Sequence, residues 1–324
     1  MRFQLRYTPV VQEYNPFVKE LQGKRFLVVL LAGLACLGLA ACQAQVIPAA
    51  LIQEAPTQTL TPFQAQPPTP RPILSATPTL VPTDTPVPCL DEQGRVEQNE
   101  MAFVENQAPL VFRVYLPPCY GQIEGTRYPV LYLLHGQTFN DEQWDRLGID
   151  EAADRMISAG DLPPFIIVMP KEANTFADIF ESSFAPDLIE GLIPWIDANY
   201  LTCAERSCRA IGGLSRGGAW AFRLGFIHWE LFGTIGLHST PPFIGDPNRL
   251  PEWLRQIPAD QIPRVYMDTG RKDWYLKPTS QLEELLVQYG VPHEWYLFNG
   301  THDEAYWSAH VADYLAWYAR PWEK

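Results

Sequence analysis

Arg209-Ala210-Ile211-Gly212-Gly213-Leu214-Ser215-Arg216-Gly217-Gly218-Ala219-Trp220-Ala221-Phe222 is the stretch on which the reading of this chain turns. Arg209 to Gly212 reads as a short strand, and Gly218 to Leu224 reads as the opening of a helix. Between them Gly213 to Gly217 fits G-x-S-x-G, in which a serine sits on a sharp, strained strand-to-helix turn. Glycines are wanted on either side because side chains there would collide with the neighbouring strand and helix. Ser215 is therefore the candidate nucleophile.

Outward from this turn, short apolar runs predict strands at Leu110 to Leu116, Pro129 to Leu134, Phe165 to Met169, Thr234 to Leu237, Val265 to Met267 and Trp295 to Phe298. Helical patterns at Asp187 to Tyr200, Arg216 to His228, Ser280 to Tyr289 and Asp303 to Tyr318 alternate with them. The alternation predicts an α/β fold with a mostly parallel central sheet and helices on both faces. Such sheets carry their sites at the carboxyl ends of the strands.

A serine hydroxyl needs a base, and the base needs an orienting carboxylate. His302 lies in Asn299-Gly300-Thr301-His302-Asp303, a turn between the last strand and the last helix, and is the expected base. His293 opens a strand and His310 falls within the helix. Val265 to Asp273 offers two carboxylates: Asp273, further into the loop and preferred, and Asp268, otherwise a strand-end residue. Oxyanion donors are expected from the backbone amides of Arg216 and Gln137, the latter following Leu131-Tyr132-Leu133-Leu134-His135-Gly136. His135 is read as a structural hydrogen-bonding residue. Trp144, Trp274 and Trp307, with Tyr275, are candidate walls of a substrate cleft, Asp141 to Trp144 foremost. The Arg216 side chain either steers an anionic substrate or pairs with a nearby carboxylate.

Tyr132-Leu133-Leu134-His135-Gly136, Gly213 to Gly218, Gly270 to Asp273 and Gly300-Thr301-His302-Asp303 with Trp307 together resemble the putative-esterase family of the α/β-hydrolase superfamily, which includes esterase D, feruloyl esterases and the antigen 85 mycolyltransferases. The resemblance covers roughly residues 108 to 320. It implies acyl-ester cleavage without metal or organic cofactor, with Ser215, Asp273 and His302 as the triad. Acyl transfer of the mycolyltransferase type and a catalytically silent, hydrolase-fold binding protein are the alternatives. The expected partner is a small-molecule or polysaccharide-linked ester.

The first 42 residues speak to location. Lys24-Arg25 precede an uncharged apolar run, Phe26 to Ala41, that ends in Leu39-Ala40-Ala41-Cys42. The run is shorter than the roughly 20 residues of a membrane span and reads as a signal peptide, residues 1–41. Its ending resembles the lipobox of bacterial lipoproteins, which makes Cys42 the lipidated residue and the cell envelope, on the extracytoplasmic face of the membrane, the expected location. Residues 42–88, rich in Pro and Thr as in Thr83-Asp84-Thr85-Pro86, read as a stiff disordered tether. Residues 89–324 are then a single esterase domain. With 24 Lys plus Arg against 37 Asp plus Glu, a net charge of -13, nucleic acid is not an expected partner. Cys203 with Cys208 and Cys89 with Cys119 are the expected disulfides, and no CxxC pair or histidine cluster suggests zinc.

Overall fold

The computed structural model describes residues 91, 93–102 and 109–323. The apolar run, Cys42, the Pro- and Thr-rich stretch and Cys89 lie outside the described residues.

Eight strands form one sheet: β1 (Arg95–Met101), β2 (Leu110–Leu116), β3 (Val130–Leu134), β4 (Ile166–Pro170), β5 (Arg209–Leu214), β6 (Thr234–His238), β7 (Arg264–Gly270) and β8 (His293–Phe298). Their spatial order is β1-β2-β4-β3-β5-β6-β7-β8. The β1–β2 and β2–β4 pairs are antiparallel, and every pair from β4 to β8 is parallel. β3 to β6 are buried at every position, as continuous apolar runs covered on both faces should be. β1, Arg-Val-Glu-Gln-Asn-Glu-Met, escapes a hydrophobic reading because it is an edge strand whose polar side chains alternate with half-buried ones.

The helices are α1 (Gln143–Arg146), α2 (Ile149–Ser158), α3 (Phe184–Pro186), α4 (Ile193–Asn199), α5 (Arg216–Ile227), α6 (Asp246–Leu254), α7 (Leu276–Gln288) and α8 (Glu304–Ala319). The sequence predicts a single helix from Asp187 to Tyr200. Instead a π-helical turn, Asp187–Leu192, runs into α4. Pro194 has no amide to donate to the carbonyl four residues back, so the hydrogen-bond register must change near it.

Side chains alternate between two cores. Tyr132 and Leu134 of β3 join Ile196, Phe222, Leu250 and Leu282 on one face. Leu131 and Leu133 join Trp144, Ala152, Leu315 and Tyr318 on the other. Chain order places β4 on one side of β3 and β5 on the other. The crevice at that reversal lies between the carboxyl ends of β3 and β5, where α/β sheets bind ligands.

Candidate active site

Ser215 stands at this crevice, between the end of β5 and the first residue of α5, with φ 54° and ψ -118°. Only a sharp turn puts a non-glycine residue there, and the flanking residues must make room for it. A Cβ on Gly217 would fall 2.1 Å from the Leu134 carbonyl oxygen, so β3 and α5 meet only over a glycine. The Ser215 amide donates to the His238 carbonyl of β6 (2.9 Å), which ties the turn to the sheet.

His302, in the loop between β8 and α8, has Nε2 2.9 Å from Ser215 Oγ and Nδ1 2.9 Å from Asp273 Oδ2. Asp273 lies in the loop after β7 and also accepts from Thr269 Oγ1 (3.1 Å) and the Tyr275 amide (2.7 Å). A carboxylate only accepts, so His302 carries its proton on Nδ1 and turns the Nε2 lone pair toward the serine hydroxyl. Burial raises the Asp273 carboxyl pKa, but the hydrogen bonds from His302 and the Tyr275 amide outweigh it. The group is held below the ordinary carboxylate range. Asp303 caps α8 by accepting from the Tyr306 amide (2.9 Å), and Thr301 Oγ1 also donates to its carboxylate. The His302 loop is thus anchored on both sides of the imidazole.

Asp268 is in a different place. It is fully buried within β7 and accepts from His238 Nδ1 (2.8 Å), Tyr306 Oη (2.5 Å) and Tyr314 Oη (3.0 Å). Tyr318 Oη meets His238 Nε2 at 3.0 Å, and glycines at 212 and 236 leave space for that ring. This second His–Asp pair fastens α8 to β6 and β7 beneath the site. The sequence reading missed His238, whose available signal was a polar residue ending an otherwise apolar, buried strand.

Facing Ser215 is the loop after β3. The Gly136 carbonyl accepts from His135 Nδ1 (2.8 Å) and the Phe139 amide (3.3 Å). In a trans peptide the N–H points opposite the carbonyl, so the Gln137 amide is directed away from these donors. It has no acceptor among the described residues, and the Arg216 amide, at the first position of α5, has none within its helix. His135 Nε2 accepts from the Glu172 amide (2.9 Å), so both ring nitrogens serve structure, as expected. Burial lowers its pKa. The Arg216 side chain pairs with buried Glu172 through Nε (2.7 Å) and Nη2 (2.5 Å), rather than being held free for a ligand.

A cavity of about 680 Å³ opens over Ser215 and His302, lined by Gln137, Phe139, Trp274, Tyr275 and Trp307 among others. The rings of Trp274, Tyr275 and Trp307 lie 5.1, 4.9 and 5.0 Å from the His302 ring. Trp274 is 67% exposed. Trp144 departs from expectation: it is 1% exposed, packs against His238 and Tyr314, and donates Nε1–H to the Leu134 carbonyl (3.0 Å). It supports the floor of the site from the core and does not line the cavity, because α1 turns its ring inward to cover the sheet. A second cavity of about 310 Å³ is lined by Leu110, Lys171, Glu181, Ser182 and Asp187 among others.

Cys203 and Cys208 form a disulfide with a Cα–Cα distance of 5.8 Å. Cys119 is disulfide-bonded as well. Among the described residues, no group of three or more His, Cys, Asp or Glu side chains converges on a metal position.

The model of a family described as "Putative esterase" matches residues 106–318. The chain is 34% identical over 200 residues to an endo-1,4-beta-xylanase/feruloyl esterase of Xylanibacter ruminicola, a match spanning 56% of this chain and 26% of that relative. The chain thus spans about a quarter of that relative's length. The structure of a ferulic acid esterase superposes with a TM-score of 0.63 at 25% identity, over 71% of this chain and 99% of the other. The fluorophosphonate-binding serine hydrolase F of Staphylococcus aureus shares the fold, with a TM-score of 0.60 at 17% identity over 69% and 98% of the two chains.

Proposed function

Because the chain belongs to the esterase family, we propose that it is a serine carboxylic-ester hydrolase in which Ser215, His302 and Asp273 act as the triad. The observation that carries this reading is the pair of 2.9 Å hydrogen bonds that His302 makes, one to the nucleophile and one to the carboxylate. Ser215 Oγ attacks the ester carbonyl carbon while its proton passes to His302 Nε2. The oxyanion of the tetrahedral adduct takes hydrogen bonds from the Gln137 and Arg216 amides. The adduct collapses, the bond to the alcohol oxygen breaks, and His302 returns its proton to that oxygen. The same imidazole then deprotonates a water that adds to the acyl carbonyl, the bond to Ser215 Oγ breaks to release the acid, and His302 returns the proton to Ser215 Oγ. Asp273 keeps the ring in the required tautomer and balances the imidazolium that forms transiently.

The substrate class this site supports best is an ester of an aromatic acid. Exposed Trp274, Tyr275 and Phe139 surround the cavity with flat apolar surfaces, and relatives carry the names feruloyl and ferulic acid esterase. The disulfide Cys203–Cys208 and the Leu-Ala-Ala-Cys42 ending support work outside the cytoplasm, on a lipid anchor at Cys42 with residues 42–88 as the tether and 89–324 as the catalytic domain.

A fluorophosphonate probe tests the mechanism. Wild type should be labelled and should hydrolyse methyl ferulate, and Ser215→Ala should do neither. Labelling that survives in Ser215→Ala would refute the assignment. Dominant acyl transfer to added alcohols in water would convert the reading to a transferase. Metabolic labelling with palmitate that persists in Cys42→Ser would dismiss the anchor.

A further inference from the structure

We propose that Gln143 is a positioning residue of the oxyanion loop, acting through a bridge from the Gly136 amide to Glu304; the inference rests on the mechanism above. Gln143 is fully buried on α1. Its Oε1 accepts from the Gly136 amide at 2.8 Å, and its Nε2 donates to Glu304 Oε1 at 3.3 Å. The Gly136 N–H can only donate and the Glu304 carboxylate can only accept, so the orientation of the Gln143 amide is dictated at both ends. Glu304 is held in turn by Arg146.

Both ends of this bridge matter to the chemistry. At one end, Gln143 fixes the peptide that precedes the Gly136–Gln137 peptide, whose N–H is the oxyanion donor. The loop is close to the nucleophile: a Cβ on Gly136 would lie 3.7 Å from Ser215 Cβ, and 3.5 Å from Gln143 Oε1. At the other end, Glu304 is the first residue of α8, two positions after His302. The bridge therefore sets the separation between the oxyanion donor and the loop that carries the base. It also occupies the Gly136 amide, which leaves Gln137 as the donor in this loop. Beyond Gln137, Thr175 pins the far side, its carbonyl accepting from Gln137 Nε2 (3.2 Å) and its Oγ1 from the Thr138 amide (3.3 Å). On the near side His135 Nδ1 and the Phe139 amide hold the Gly136 carbonyl, and Gln143 alone holds the Gly136 amide.

Removing one oxyanion donor outright costs roughly 10²–10³ in kcat. A donor displaced but still present should retain part of that, so the expected loss is about 10- to 100-fold. The experiment uses the full chain with p-nitrophenyl acetate and active sites counted by fluorophosphonate titration, for wild type, Gln143→Leu, Gln143→Glu and Gln143→Glu/Glu304→Gln. Gln143→Glu keeps the acceptor for Gly136 and removes only the donor, setting two carboxylates face to face. The double variant restores the bridge with its polarity reversed.

The expected result is a 10- to 100-fold fall in kcat per titrated site for both single variants at Gln143, with KM within about threefold. Affinity for an aryl boronic acid, which mimics the tetrahedral adduct, should fall by the same factor, while affinity for free ferulic acid stays within about threefold. The double variant should regain at least about tenfold over Gln143→Glu. Unchanged kcat per titrated site in both single variants overturns the proposal, as does a loss that the double variant does not recover. Ser215→Ala, measured in parallel, separates the two levels: if it retains activity, the underlying mechanism is what fails.

Discussion

Replacing Asp273 by Asn exchanges one oxygen for an NH₂ group. The Tyr275 amide at 2.7 Å demands an acceptor, so the amide oxygen takes that side and the NH₂ group faces His302. His302 Nδ1 must then accept, which moves the ring proton to Nε2, where it points at Ser215 Oγ instead of receiving its proton. The base is present but in the wrong tautomer. The expected cost is about 10⁴ in kcat, or about 5.4 kcal/mol at about 1.36 kcal/mol per decade. Asp268→Asn should behave in the opposite way. Its carboxylate, fully buried, satisfies His238, Tyr306 and Tyr314 and touches neither Ser215 nor His302, so its loss should appear as about 3 kcal/mol of stability. Among folded molecules its kcat should remain within about tenfold of wild type. Hydrolysis of methyl ferulate, normalised to the folded fraction from urea titration followed by tryptophan fluorescence, separates the two effects. The reasoning is refuted if folded Asp268→Asn loses about 10⁴ in kcat while Asp273→Asn stays within tenfold.

Trp144→Ala should cost about 3–5 kcal/mol in urea unfolding because it empties a core position. Trp274→Ala, at an exposed cavity wall, should leave stability within about 0.5 kcal/mol and raise KM for aryl esters. Gly217→Ala should destabilise the fold by more than about 3 kcal/mol, since the new Cβ meets backbone oxygens of Leu134 and His135; a Tm equal to wild type would contradict the packing. Burial depresses the His135 pKa in the folded state, so below about pH 6.5 the unfolded chain binds a proton that the native state refuses. His135 thus leaves stability undiminished above about pH 6.5 and erodes it as pH falls toward the depressed folded value. Urea midpoints measured from about pH 8 to pH 5 should show a shallower decline in His135→Gln than in wild type.

The fold and the strand–turn–helix around Ser215 were legible in the sequence because both are written locally. A buried parallel strand, a glycine-flanked turn and an amphipathic helix each leave their pattern in consecutive residues. The order of serine, acid and histidine along the chain follows from the connectivity of the sheet. The choice between Asp268 and Asp273 is a different kind of question. Five positions apart on one strand and its loop, both are carboxylates near a strand end. The tertiary structure separates them by surrounding Asp268 with His238, Tyr306 and Tyr314 and placing Asp273 against His302. Trp144 and Trp274 look alike as letters near predicted loops, yet α1 turns one inward to cover the sheet and the loop before α7 leaves the other in solvent. Gln143 and His238 carried no motif, because their value lies in partners 161 and 30 residues away. Backbone preferences act over a few neighbours, whereas hydrogen-bond partnership depends on which distant segments the packed sheet brings within 3 Å.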